Sequence, residues 1–168
     1  MAIADVLRVF RDLKQEGTVK DYIVYGPIAA MVHTRPFYTK DVDIGVLVAS
    51  DMEYIKIFRR LAEFGTVEGN HVVVNGTSVD VFPTDVSPII NDAMNGARRK
   101  KVENVYAKVA SPEHLVLEAL RAVQREDRAR VIMLEEAVDR YKLGDLFARL
   151  DYDGELKARY QRLTGQAP

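Results

Sequence analysis

Apolar residues recur at Ile3, Val6, Leu7, Phe10 and Leu13, with Arg8, Arg11, Asp12 and Lys14 between them, a spacing that predicts an amphipathic helix ended by Gly17. The run Tyr22-Ile23-Val24-Tyr25 predicts a strand that stops at Gly26-Pro27, followed by a brief helix over 28–31 entered through the proline. A second run, 42–48, is rich in β-branched residues and interrupted only by Asp43 and Gly45, the pattern of a buried central strand. Ser50-Asp51-Met52-Glu53 reads as a helix cap with an acid three residues on, and Ile55, Ile57, Phe58, Leu61 and Phe64 supply the apolar face before Gly65.

Short strands are then predicted over 66–68, 71–74 and 78–82, separated by Gly69-Asn70 and by Asn75-Gly76, the latter a strong two-residue hairpin signal. A short helix over 88–95 ends at Gly96, and Val102, Val105, Ala107 and Val109 suggest a further strand. Beyond Ser111-Pro112-Glu113 the pattern is helical, over 115–123, 127–141, 143–150 and 155–163, with Gly144 and Gly154 as punctuation. Leu115, Leu117, Leu120, Ile132 and Leu134 are assigned to the core. The class is therefore α+β, with an α/β core over 1–110 and C-terminal helices over 111–168 packed on it, since no repeat or Pro- or Ser-rich linker separates them.

Charge changes the picture little: 24 Lys and Arg against 25 Asp and Glu leave a formal net charge of −1, so a polyanion site has to be local rather than global. The absence of Cys excludes disulfides, thiolate metal clusters and Cys nucleophiles, and agrees with a reducing, cytoplasmic setting. No stretch approaches the ~20 apolar residues that cross a bilayer, so no membrane partner is expected.

Candidate chemistry centres on acids inside apolar runs. Asp41 and Asp43 are one residue apart at the start of a strand, so period-two geometry aims both at one face. Asp80 lies in the apolar run Ser78-Val79-Asp80-Val81-Phe82 and adds a third carboxylate if the two strands are neighbours. Three such acids repel one another and lose hydration, costs that magnesium or manganese would offset with oxygen ligands alone. The plainer alternative is that Asp41 caps a strand, Asp43 faces solvent at a sheet edge and Asp80 is a surface acid. Gly26, between a strand and a helix, suits a helix start that meets a phosphate, or a simple left-handed turn. Arg98-Arg99-Lys100-Lys101 is the densest basic run, able to hold a triphosphate or RNA but more economically a solvated loop, and His33, His71 and His114 show no metal-ligand spacing. Tyr22, Tyr25, Tyr38 and Tyr54 are read as core-edge residues.

Three segments in order, Tyr25-Gly26-Pro27-Ile28-Ala29-Ala30-Met31-Val32-His33, Tyr38-Thr39-Lys40-Asp41-Val42-Asp43-Ile44 and Ser78-Val79-Asp80-Val81, resemble the minimal nucleotidyltransferases of the DNA polymerase β superfamily. The nearest likeness is to the AbiEii-type toxin branch, whose pattern is Gly-Gly-x-Ala, then His-Gly, then Arg-x-Thr-x-Asp-x-Asp. Ala110-Ser111-Pro112-Glu113-His114-Leu115 is similar to the start of that family's C-terminal helices. The resemblance implies a mixed β-sheet with flanking helices, and transfer of a nucleoside monophosphate from a nucleoside triphosphate to an acceptor hydroxyl of RNA, protein or a small molecule. It implies magnesium or manganese on Asp41, Asp43 and Asp80, with Asp80 also activating the acceptor, and Gly26, Thr39 and Lys40 beside the triphosphate. A second copy of the chain or a partner subunit is a further implied contact.

Four positions depart from that pattern. Pro27 replaces the second glycine and lacks an N–H, Thr34 replaces the glycine after the histidine, and Phe37 stands where an arginine is expected, with Arg35 near enough for a bulged loop to present instead. Ala119 and Arg130 stand where the family often has a lysine and an aspartate. The acids are complete while the phosphate-binding part is altered, so two readings follow: a metal-dependent nucleotidyltransferase, or a catalytically inactive binding or regulatory module on the same fold.

Overall fold

A computed structural model of the chain describes residues 3–37, 39, 41–68, 71–122 and 125–168. The N-terminal half runs α1 (Ile3–Gln15), β1 (Tyr22–Tyr25), α2 (Gly26–His33), β2 (Asp41–Val46), α3 (Asp51–Leu61), β3 (Thr66–Glu68), β4 (His71–Val74) and β5 (Thr77–Pro83). It continues through α4 (Pro88–Gly96), β6 (Arg98–Val102), β7 (Val105–Val109), α5 (Pro112–Ala122), α6 (Arg125–Leu134), α7 (Arg140–Leu150) and α8 (Glu155–Thr164). Among the described residues seven strands form one mixed sheet in the order β3-β4-β5-β2-β1-β7-β6. β2 runs parallel to β5 and antiparallel to β1, while β1 runs parallel to β7. This is the mixed sheet with flanking helices that the sequence led us to expect.

Local signals explain much of it. Asn75 and Gly76 both take positive φ, 48° and 75°, the backbone a tight β4–β5 hairpin needs. The Ser50 hydroxyl accepts from the Glu53 N–H at 3.3 Å, and the Glu53 carboxylate returns to the Ala49 N–H at 2.8 Å, a reciprocal cap on α3. Val42, Ile44 and Val46 of β2 are fully buried, as expected of a strand with a neighbour on each side. α1 packs on β7 and β5, with the Phe10 ring 5.6 Å from Tyr22, whereas α5 packs on α2 and α4 and gathers α6, α7 and α8 around itself.

Several expectations are corrected. The helix expected over 127–141 is interrupted: α6 ends at Leu134, a single 3₁₀ turn follows, and α7 starts afresh where the Asp139 carboxylate accepts from the Tyr141 and Lys142 N–H groups. Buried Glu113 receives the Asp139 N–H at 2.8 Å and holds that break in place. Gly144 lies inside α7 and terminates nothing. Ile132 is 57% exposed rather than core. Arg98 to Lys101 belong to edge strand β6 rather than to a loop. The Gly69-Asn70 turn, Tyr38 and Lys40 lie outside the described residues, as does the last residue of the helix expected over 115–123.

Candidate active site

The register of three neighbouring strands assembles the site. Asp43 of β2 is paired with Asp80 of β5 on one side and Tyr25 of β1 on the other, so these side chains form a row on one face of the sheet. Alternation along β2 puts Asp41, paired with Ser78, on that face too. Asp43 therefore sits on an interior strand, not at the solvent edge that the plainer reading required. Immediately above it the chain turns into α2 at Gly26, whose φ of 55° is left-handed and whose missing Cβ would lie 1.7 Å from Asp43 Oδ2. Only glycine fits, because the backbone itself closes on the carboxylate. The Tyr25 hydroxyl donates to the His114 carbonyl at 3.1 Å and ties this row to the first turn of α5.

Helices roof the row. A cavity of about 270 Å³ is floored by Gly26, Asp43 and Asp80 and walled by Glu118 and Ala119 of α5 and by Asp127 and Arg130 of α6. Burial drives the Asp43 carboxyl up to about 6, and Asp80, Asp41 and Asp127 push the same way while Arg130 opposes them. Arg130 donates to Asp127 at 2.9 Å and so is held against the cavity wall. Asp80 has a partner of its own: His71, its register neighbour on β4, hydrogen-bonds its carboxylate through Nδ1. Among the described residues no three His, Asp or Glu side chains are gathered closely enough to cage a metal ion. The donors are nonetheless hard carboxylate oxygens, a chemistry that suits magnesium or manganese rather than a softer ion.

No protein-family model matches this sequence, and no curated protein matches it either. Solved structures do match. An antigenic nucleotidyltransferase-like protein from Paracoccidioides brasiliensis superposes with a TM-score of 0.58 at 15% identity, over 96% of this chain and 95% of that one. The antibiotic-resistance factor ANT(2'')-Ia, studied in solution, gives 0.58 at 13% identity, over 96% and 97%. The fold is nucleotidyltransferase-like.

Within this nucleotidyltransferase-like frame the residues singled out from the sequence fall in different places. Asp43, Asp80 and Gly26 line the cavity, and Asp41 shares their face of the sheet. The Thr39 hydroxyl donates to the Asp41 carbonyl at 3.3 Å and accepts from the Asp41 N–H at 3.4 Å, at the first residue of β2. Arg35 lines a separate cleft with His33, Ile132 and Met133, and Lys40 lies outside the described residues. Glu118 and Asp127 were missed, and Arg130 entered only as a departure from the family pattern. A signal existed for Asp127: it occupies the stripe completed by Val131 and Leu134, both fully buried, and an acid in an apolar helical stripe asks for a reason.

Proposed function

We propose that this cavity transfers a nucleoside monophosphate from a nucleoside triphosphate to an acceptor hydroxyl, with Asp41, Asp43 and Asp80 holding magnesium or manganese. The observation that carries the reading is Asp43: an acid on an interior strand, in register with Asp80, pressed under Gly26 and left short of positive charge. A bound divalent ion would neutralise the charge on the transferred phosphoryl group and the departing pyrophosphate. The chain's own residues orient and exclude. Gly26 keeps the approach to Asp43 free of side chain, and Arg130, the one cation among the described residues lining the cavity, faces the triphosphate in place of the donor that Pro27 lacks. Its bond to Asp127 fixes the guanidinium before the ligand arrives. Asp80 draws the proton from the acceptor hydroxyl, and its bond to His71 orients it. The likeness to the AbiEii-type toxin branch, a cytoplasmic site of action, and an RNA, protein or small-molecule acceptor belong to the same proposal.

A second reading has observations of its own. An inactive binding or regulatory module on this fold accounts for the lost N–H at Pro27 and for an Asp80 already engaged by His71. Thermal denaturation of the full chain with magnesium or manganese and each ribonucleoside triphosphate separates the two. Active-site binding at about one hundred times Kd stabilises by ~2.7 kcal/mol, a rise of roughly 5–10 °C in Tm for a chain of this size. We expect the rise to need both metal and nucleotide and to vanish in Asp43→Asn. A wild-type Tm unmoved by every combination supports the inactive module.

A further inference from the structure

The cavity leaves one conspicuous group of side chains unused. Arg98, Arg99, Lys100 and Lys101 are consecutive and exposed on β6, the last strand of the sheet. In a chain of net charge −1, no hydrogen bond or ion pair joins any of these four to a carboxylate among the described residues. Nearby Lys14 and Lys108, by contrast, are both held by Asp21. Pairing of β6 with β7 sets Arg99 opposite Lys108 and Lys101 opposite Tyr106, so Arg99, Lys101 and Tyr106 share one face. Tyr106 is 59% exposed, and the Arg99 guanidinium lies 5.8 Å from its ring centroid. Arg99 and Tyr106 also line a cleft of about 230 Å³ with Arg11, Lys14, Lys108 and Asp21, where the first is paired with Asp12 and the two lysines with Asp21.

Charged side chains on an edge strand guard it against pairing with other chains, a role that does not call for an exposed aromatic ring among them. Two cations without a carboxylate partner among the described residues, Arg99 and Lys101, on the same face as a half-uncovered aromatic ring make a surface of another kind. Cations two residues apart on a strand lie ~6.8 Å apart, in a row along which a phosphate backbone can lie while a base stacks on the ring. We propose that this face of the β6–β7 hairpin binds a single-stranded nucleic acid, with phosphates on Arg99 and Lys101 and a base on Tyr106. An acidic peptide offers the charge but has no use for the aromatic face.

The test is fluorescence anisotropy of the full chain with fluorescein-labelled ten-nucleotide oligouridylate and oligothymidylate at 50 and 200 mM salt. Binding should weaken with salt with a log–log slope of about −0.7 per phosphate engaged, hence roughly −1.4 to −2.1 for two or three. The double variant Arg99→Glu/Lys101→Glu should bind at least about tenfold more weakly, and it keeps the edge charged, so a Tm and an oligomeric state matching wild type serve as controls. Tyr106→Leu should lose about tenfold while retaining the salt slope, the mark of a stacking contact. Arg128→Glu, on α6, should bind as wild type. The proposal is overturned if neither binds at 50 mM salt, if the double reversal has no effect, if Arg128→Glu is equally damaging, or if polyglutamate displaces the oligonucleotide as well as unlabelled strand does.

Discussion

Asp43 on β2 faces the cavity that α5 helps to wall, Asp92 on α4 bonds to His114 of α5, and their surroundings drive the two carboxyl groups in opposite directions. Arg149 grips Asp92 with two nitrogens, at 2.9 and 3.2 Å, and the buried His114 ring donates to it at 2.9 Å while its other nitrogen meets the Ser111 hydroxyl at 2.9 Å. The Arg149 guanidinium holds Asp92 below the usual carboxylate range, with His114 assisting. Asp43 receives no such partner; burial and three other acids raise it, and Arg130 opposes them from the wall while bonded to Asp127. One cluster is complete as it stands and fastens α4, α5 and α7 together. The other holds a carboxyl that burial and neighbouring acids keep above its usual range, the mark of a candidate functional site that the self-satisfied His114 cluster lacks.

The harshest way to break this contrast is Gly26→Ala. A left-handed backbone alone costs a side chain ~1–2 kcal/mol, and the new Cβ would also meet Asp43 Oδ2 at 1.7 Å. Gly17, with a φ of 78° and nothing within 4 Å of its virtual Cβ, separates the two causes. Gly17→Ala should lower Tm by about 2–8 °C, and Gly26→Ala by distinctly more, with loss of any metal- and nucleotide-dependent rise. Equal losses in calorimetry would mean that the close approach to Asp43 has no energetic weight.

Asp43→Asn sharpens the comparison through pH. A carboxyl raised in the folded chain binds its proton more tightly there than in the unfolded chain. Native stability therefore falls as pH rises from about 4 through about 6 and stays reduced above that. The shift from 3.8 to about 6 corresponds to ~3 kcal/mol, so in urea unfolding without ligand the variant should gain up to that amount at pH 7 and much less near pH 4.5. A variant no more stable than wild type at pH 7 would show that Asp43 is already compensated.

Asp92→Asn should act with the opposite sign and a smaller size. Arg149 is 47% exposed, which discounts its share, and we expect a loss of ~1–2 kcal/mol. Because the folded value of Asp92 is lowered, the stability it contributes is present above the unfolded value of 3.8 and disappears only as pH falls through the folded one. The loss should thus not shrink between pH 7 and pH 5, and it should grow wherever His114 takes up its proton, because Asp92 favours that charge. The His114 resonance in NMR should titrate lower still, since burial already lowers it and Asp92 is the group that holds it up. A His114 titration that ignores Asp92 would dissolve the cluster as described.

Sequence alone carried what depends on period and on local backbone. Residues 22–25, 71–74 and 78–82 declared themselves as strands, Asn75-Gly76 as a hairpin and Ser50 as a cap, because side-chain alternation, positive φ and capping hydrogen bonds act over a few residues. The acids Asp41, Asp43 and Asp80 stood out for the same reason, as charges inside apolar strands. Tertiary structure decided everything that required distant segments to meet. It set Asp80 beside Asp43 and His71 beside Asp80 through sheet order, laid the Gly26 backbone on Asp43, brought Asp127 and Arg130 over the sheet on α6, and gave Asp92 its Arg149. It also made a strand of Arg98 to Lys101, since pairing with β7 supplies backbone hydrogen bonds that outweigh the poor strand propensity of four consecutive cations. A side chain's charge and periodicity are written in its neighbours along the chain, but its desolvation and its partners are set by elements up to eighty or more residues away, and those determine whether a carboxyl is fastened and lowered, as Asp92 is, or buried and raised, as Asp43 is.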